Sequence, residues 1–330
     1  MASRSTGVMD RVVADGPVAI IGFETTGLVP GGDRVVEVSV VLSEPGQPPL
    51  LALDTLVNPG RPVGATDIHG ITDADVAGAP PFEEIAGNLV DAVSDCVLAM
   101  YNVQFDMPFL VYELQRIGVR HSPPHVCLMS LRPMLGLGAR CSLDEACRAH
   151  GVDCAPSQRA AHEAMAAARL WRLYLQTIER RGLRTFGDIA GLKASGFAQS
   201  FSNEPLSRSL VQDLRPASRL KPRTSRAAPA LQTSTAPVHS PARQAAIHTY
   251  WEGLKAVLFD LNVTDEEVAS LAKQKERLGL TLEEVRAVHA RAFVNALSRC
   301  VEDKLLDDAE CNILHRLHRC LRRLGWAPGD

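Results

Sequence analysis

Residues Val18–Leu42 read VAIIGFETTGLVPGGDRVVEVSVVL, and the fold turns on this stretch. Val18 to Ile21 is an apolar run of strand length, and Gly22-Phe23-Glu24-Thr25-Thr26-Gly27 reads as polar chain leaving that strand. Pro30, Gly31, Gly32 and Asp33 give a turn signal, and Arg34 to Leu42 is apolar again, a second strand. A carboxylate at the end of a central strand is where an α/β protein can hold a hard divalent cation, provided other oxygen ligands stand beside it. Glu24 is such a carboxylate, and Gly22 occupies the place where a second would serve.

Outward from this pair, Leu50 to Val57 is a third strand, ended by Asn58-Pro59-Gly60. Three strands with short connections open a mixed sheet as an antiparallel meander. A polar loop then carries Ile68-His69-Gly70-Ile71-Thr72. Apolar spacing predicts a helix from Pro81 to about Ser94, a short strand over Cys96–Tyr101, and a helix from Asn102 to Ile117 stopped by Gly118. Val126 to Leu128 is a further strand, and Ser142-Leu143-Asp144-Glu145 is a capping box. Alanines from Ala160 to Ala168 give a long helix, roughly Arg159 to Arg180, small surfaces that let it lie close to the sheet.

The chain has 330 residues and a formal net charge of −3, which neither announces nor excludes a nucleic-acid partner. No apolar run reaches the roughly 20 residues of a membrane span, so no membrane partner and a cytoplasmic location are expected. The eight cysteines include no CxxC pair, so reduced, mostly buried thiols are expected, Cys127 among them. Residues 1–15 read as a loose leader, 16–182 as the first domain, 183–246 as a connecting segment and basic linker, and 247–330 as a helical bundle. From Leu206 to Ala246 there are six arginines and one lysine against one aspartate, among many Pro, Ser and Thr, a composition of disorder. In the last part, caps at Thr264, Thr281 and Asp307 precede helical apolar patterns, and none of its polar residues suggests chemistry. The acidic cap before Glu310 and the pair Leu324-Gly325 resemble tellurite-resistance-type helical domains; an unrelated oligomerisation bundle fits the same residues.

The first 180 residues resemble the DEDDh 3′–5′ exonuclease family, to which the epsilon subunit of bacterial DNA polymerase III and ribonuclease T belong. The family's opening Asp-x-Glu-Thr-Thr-Gly stands here as Gly22 to Gly27, and Val57-Asn58-Pro59 with Ile68-His69-Gly70-Ile71-Thr72 matches its next signature. Asn102 to Asp106, with Phe109-Leu110 behind, matches the second acidic motif, and Gln158 to Ala164 the third. The resemblance implies a ribonuclease H-like α/β fold: a mixed five-stranded sheet with helices on both faces, here followed by an all-α bundle. It also implies catalytic positions at Glu24, Asp106, Gln158 and Glu163, with Glu24, Asp106 and Glu163 holding Mg²⁺ or Mn²⁺ weakly. Thr25, Thr26, Gly27, His69, Ile71 and Phe109 fall at its substrate-binding positions.

Three changes make the site degenerate. In the family two ions flank the scissile phosphate. Gly22 lacks the carboxylate that would bridge them, Gln158 replaces the histidine that would take the proton, and Glu163 is one methylene longer than the family's aspartate. His162 points about 100° away from its neighbour Glu163 and does not stand in as a base. The implied function is a degenerate exonuclease-like protein, an accessory or regulatory subunit that binds single-stranded DNA or RNA 3′ ends with little or no hydrolysis. Two alternatives stay open: an active metal-dependent exonuclease with a rearranged site, and a protein-interaction scaffold with a partner or a second copy on residues 247–330. On the sequence alone, Gly22→Asp with Gln158→His and Glu163→Asp would rebuild the site.

Overall fold

The computed structural model describes residues 7–27, 30–154, 159–192, 196–211, 214, 216–218, 220–222, 240–258, 261–300 and 308–329. The first domain is built on five strands: β1 (Val18–Thr25), β2 (Val35–Ser43), β3 (Leu50–Leu56), β4 (Val97–Met100) and β5 (His125–Cys127). They lie in the order β3-β2-β1-β4-β5. β1 pairs antiparallel with β2, and β2 with β3, while β4 and β5 run parallel to β1. This is the mixed five-stranded sheet the sequence implies.

The helices of this domain are α1 (Thr66–His69), α2 (Asp73–Val76), α3 (Phe82–Val93), α4 (Val103–Arg116), α5 (Leu128–Met134), α6 (Leu143–Ala149), α7 (Ala160–Arg180) and α8 (Phe186–Leu192). β2 is buried at nearly every position, and both α3 and α7 pack against it, so helices cover the sheet on both faces. α7 carries Ala160, Ala164, Ala167 and Ala168 on its buried side and lies on β1 and β2. Its bulk comes from Trp171 and Tyr174, fully buried one and two turns further on.

β1 does not end at Ile21, as its polarity suggested; it continues to Thr25 because β2 pairs with it throughout. Glu24 faces Glu37, and Thr25 then pairs with Val35, so β2 bulges at Val36. Such a bulge turns the strand end and re-aims the side chains beside it. A bidentate ion pair, Arg34 to the fully buried Glu113 at 2.6 and 2.9 Å, ties the start of β2 to α4.

Several expected boundaries move. The leader is not loose from residue 7 onward: Val8 and Val13 are buried, and the Val13 N–H donates to the Arg184 carbonyl. The basic segment is also pinned at its start. Leu206 is buried, Arg208 pairs with Asp91, and the Lys221 carbonyl accepts from the Leu56 N–H. Its apolar residues and backbone thus satisfy the first domain, and composition alone did not show that. Residues 223–239 of the expected linker lie outside the described residues.

The bundle starts earlier than expected, with α9 (Pro241–Val257), whose N-cap Ser240 accepts from the Arg243 N–H. It continues through α10 (Asp265–Arg277), α11 (Leu282–Cys300) and α12 (Asp308–Arg323). The boxes Thr264/Glu267 and Thr281/Glu284 form as read, and Asp307 lies outside the described residues. The bundle core gathers Tyr250, Trp251, Leu254, Val288 and Leu321, and it also takes Ile68 from the first domain. α10 docks on the capping box of α6: Ser270 donates to Glu145 at 2.8 Å and Arg277 pairs with Asp144 at 2.6 Å. No described helix is long and apolar enough to cross a membrane.

Candidate functional site

Three elements of the first domain bring carboxylates to one place. Glu24 comes from the end of β1, Asp106 from the first turn of α4, and Glu163 from the first turn of α7. The nearest carboxylate oxygens of Glu24 and Glu163 lie within 4.8 Å of one another. Asp106 faces the same group and feels the charges of Lys255, Glu252 and Glu24. Gln158 lies outside the described residues. His162 is exposed on α7.

The bundle supplies the rest of the site. His248, Glu252 and Lys255 sit four and three residues apart on α9, one polar stripe on a helix whose Ile247, Tyr250, Trp251, Leu254 and Val257 enter the bundle core. His248 is 2% exposed. Its Nε2 lies 3.4 Å from Glu24 Oε1, 3.5 Å from Glu163 Oε1 and 3.8 Å from Glu252 Oε1. Lys255 Nζ is 2.7 Å from Glu252 Oε1 and 3.7 Å from the centre of the Phe105 ring. The expectation that the bundle holds no chemistry is therefore wrong. The signal was present in the sequence as the His248/Glu252/Lys255 spacing, but a helix register says nothing about which domain it faces.

The electrostatics follow from burial. For Glu24 burial acts upward, but the nearby charge of His248, then those of His69 and Lys255, outweigh it and hold the carboxyl below its ordinary range. Burial pushes Asp106 up to about 8, with Glu252 and Glu24 adding to the rise and Lys255 opposing it. Glu163 is raised well above its ordinary value by burial and by Glu252 and Glu24. Burial acts to lower His248 and Lys255, yet the surrounding carboxylates keep both raised, so both favour the cationic form.

Gly22 proves to be more than a missing carboxylate. A Cβ on it would stand 2.9 Å from the Ala160 carbonyl oxygen, a backbone atom that cannot swing away. The start of α7 has settled onto β1 in that space. It is fixed there by the fully buried Glu37, whose Oε2 accepts from the Ala160 N–H at 3.1 Å. A carboxylate beside a helix N-terminus also complements its dipole. Returning an aspartate to position 22 thus requires moving α7, and the rebuilt site expected from the sequence does not fit this packing.

The expected substrate-holding residues are mostly occupied by the fold. Phe109 and Ile71 are fully buried. Thr25 donates to the Gly27 carbonyl, and Thr26 donates to Asp33 at 2.8 Å. His69 accepts from the Ile71 N–H through Nδ1, which leaves its Nε2 proton to donate to the Thr25 carbonyl at 3.2 Å. It braces the loop against the strand end. Beside the site a cavity of about 170 Å³ opens between α4 and α9, bordered by Asn102, Phe105, Trp251 and Lys255. Asn102 Oδ1 is buried there without a hydrogen-bond partner among the described residues.

A pair of hard ions does not fit these residues. The bridging carboxylate is absent, its space is filled, and the α9 stripe puts an imidazole and an ammonium among the remaining carboxylates. What remains is an incomplete set of three potential ligands, Glu24, Glu163 and His248.

Residues 19–170 match the family model described as "Exonuclease". A DNA polymerase III subunit epsilon-like protein of Rhodobacter capsulatus is 35% identical over 52% of this chain and 25% of its own length. DNA polymerase III subunit epsilon of Pasteurella multocida is 31% identical over 34% of this chain and 47% of its own. The chain thus spans less than half the length of either relative. A solved nuclease domain of 3′hExo, a DEDDh family member bound to rAMP, aligns with a TM-score of 0.39 and 15% identity over 53% of this chain and 96% of that one. The first domain has the DEDDh-type exonuclease fold of the polymerase III epsilon kind, with an incomplete metal site.

Proposed function

We propose that this protein is a non-hydrolysing relative of the 3′–5′ exonucleases, an accessory subunit that binds single-stranded nucleic-acid 3′ ends. The observation that carries the loss of hydrolysis is at position 22. Glycine there supplies no carboxylate to bridge two ions, and the Ala160 carbonyl has taken the space, 2.9 Å from where a Cβ would be. Binding is supported by the cavity beside the site. The half-buried Phe105 offers an aromatic edge to the cavity and Lys255, set over its ring, offers a cation, the kinds of group on which single strands stack and pair their phosphates. α9 lies across the inner part of the cleft, so a 3′ end that reaches Glu24 must displace it, and the apparent affinity falls by the fraction of molecules in which α9 has moved.

A second reading, the protein-interaction scaffold, is favoured by the burial of Ile71 and Phe109 and by the helix already in the cleft. Equilibrium titration of the full chain with a 5′-labelled linear strand and a circular strand of the same sequence, followed by length analysis of the bound DNA, separates these. Tighter binding of the linear strand, recovered at full length, is the expected result. Equal binding of the circle, or no binding, removes the 3′-end reading in favour of the scaffold. Metal-dependent shortening restores the active exonuclease.

A further inference from the structure

We infer that Glu24, Glu163 and His248 form a site for one borderline transition cation of the Zn²⁺ class, and that this ion latches α9 onto the first domain. The distances are the first argument. His248 Nε2 is 3.4 and 3.5 Å from the two carboxylate oxygens, too long for good hydrogen bonds, and it makes none although it is buried. Ligands 2.0–2.1 Å from a tetrahedral Zn²⁺ are separated by roughly 3.3–3.5 Å, the spacing of the two edges at His248, and all three ligand atoms lie within 4.8 Å of one another. An octahedral ion with Mg²⁺ bond lengths sets neighbouring ligands only about 2.9 Å apart.

The donor set is the second argument. One imidazole nitrogen with two carboxylate oxygens suits zinc and leaves one position open, whereas Mg²⁺ prefers oxygen alone. Glu163 is the ligand with solvent access, its side chain 26% exposed, so a water can fill the open position. Glu252 is held by Lys255 at 2.7 Å and stays outside the ligand set.

The site differs from a two-ion nuclease centre in its donors, in holding one ion, and in taking one ligand from the bundle. Its role is to close: binding the ion joins β1, α7 and α9. The full-length chain, stripped with chelator, is titrated calorimetrically with Zn²⁺ and, in parallel, with Co²⁺ followed by visible absorption. One equivalent of Zn²⁺ should bind, Mg²⁺ should not displace it at equal concentration, and the cobalt form should show tetrahedral d–d bands without sulfur charge transfer. Loss of a ligand exceeds the 10–100-fold cost of losing an outer partner, so His248→Ala and Glu163→Gln should each bind more than about 100-fold more weakly. Glu163→Gln keeps the shape of the side chain, so the test survives if His248→Ala fails to fold. Unchanged affinity in Glu163→Gln, sulfur charge transfer from Cys147 or Cys154, or no stoichiometric binding by wild type would each overturn the site. None of these readouts depends on hydrolysis or on nucleic-acid binding, so the latch and the proposed function fail separately.

Discussion

Replacing Gly22 by alanine should destabilise the protein through a single contact. The added Cβ meets the Ala160 carbonyl oxygen at 2.9 Å, with the Ala160 carbon at 3.5 Å and its Cα at 3.6 Å. The obstacle is the first residue of a helix whose buried face is continuous with the core, so relief comes only by shifting the start of α7 a few tenths of an ångström. That shift stretches the Glu37–Ala160 hydrogen bond, now 3.1 Å, in a place closed to water. Overpacking of this kind costs about 1–3 kcal/mol. Against it, Gly→Ala in an unstrained conformation stabilises by about 0.4–1 kcal/mol through the unfolded chain. A net loss of about 1–2 kcal/mol remains, or about 2–8 °C in Tm for a domain of this size. Urea unfolding of Gly22→Ala beside Gly16→Ala measures it, because a Cβ on Gly16 meets nothing within 4 Å. A Gly22→Ala midpoint at or above wild type, with Gly16→Ala unchanged, would show that α7 does not rest on β1, and room for a metal-bridging carboxylate would then exist.

The other expectations concern the charged cluster and the bundle. Gly22→Asp should be destabilised at least as much as Gly22→Ala and should gain no hydrolysis of labelled strands; a folded, cleaving variant refutes this. Lys255→Met strands the carboxylate of Glu252, now paired at 2.7 Å, and removing one partner of such a buried pair should cost about 3 kcal/mol in urea unfolding. Adding Glu252→Gln should recover part of that loss, since the two side chains form the pair. Asp106 also sets a pH dependence. Its folded value of about 8 against an ordinary 3.8 means the folded form keeps a proton the unfolded chain has lost, so ion-free stability should fall as pH rises from about 4 to 8. In Asp106→Asn that slope should flatten, and urea midpoints at pH 5 and 8 decide it. Tyr250→Phe removes the 3.0 Å bond to His289 Nε2, whose Nδ1 donates to the Trp326 carbonyl, and should cost about 1–2 kcal/mol.

Much of the fold was legible because its signals are local. The valine-rich β2, the capping boxes at Ser142, Thr264 and Thr281, and the alanine face of α7 each declare an element within a few residues. The convergence of Glu24 with Glu163 was legible only through family resemblance, since their elements meet by topology. Two facts were not legible. Gly22 reads as a deleted ligand, while its packing partner, the Ala160 carbonyl, is a backbone atom that no side-chain pattern reveals. His248 reads as one residue of an amphipathic helix, and its place beside Glu24 depends on how two domains dock. The docking contacts, Ser270 to Glu145 and Arg277 to Asp144, pair polar residues that each have an ordinary surface reading alone.

The central claim is that this exonuclease fold does not hydrolyse, and single-turnover degradation tests it most directly. Full-length protein in excess over 5′-labelled single-stranded DNA or RNA, with Mg²⁺ or Mn²⁺, is followed over time beside Glu24→Ala. The expected result is intact strands, with any trace shortening equal in the two proteins. Shortening from the 3′ end by wild type that depends on the metal and disappears in Glu24→Ala would contradict the claim, and would mean that the cluster around Glu24 binds catalytic ions despite Gly22.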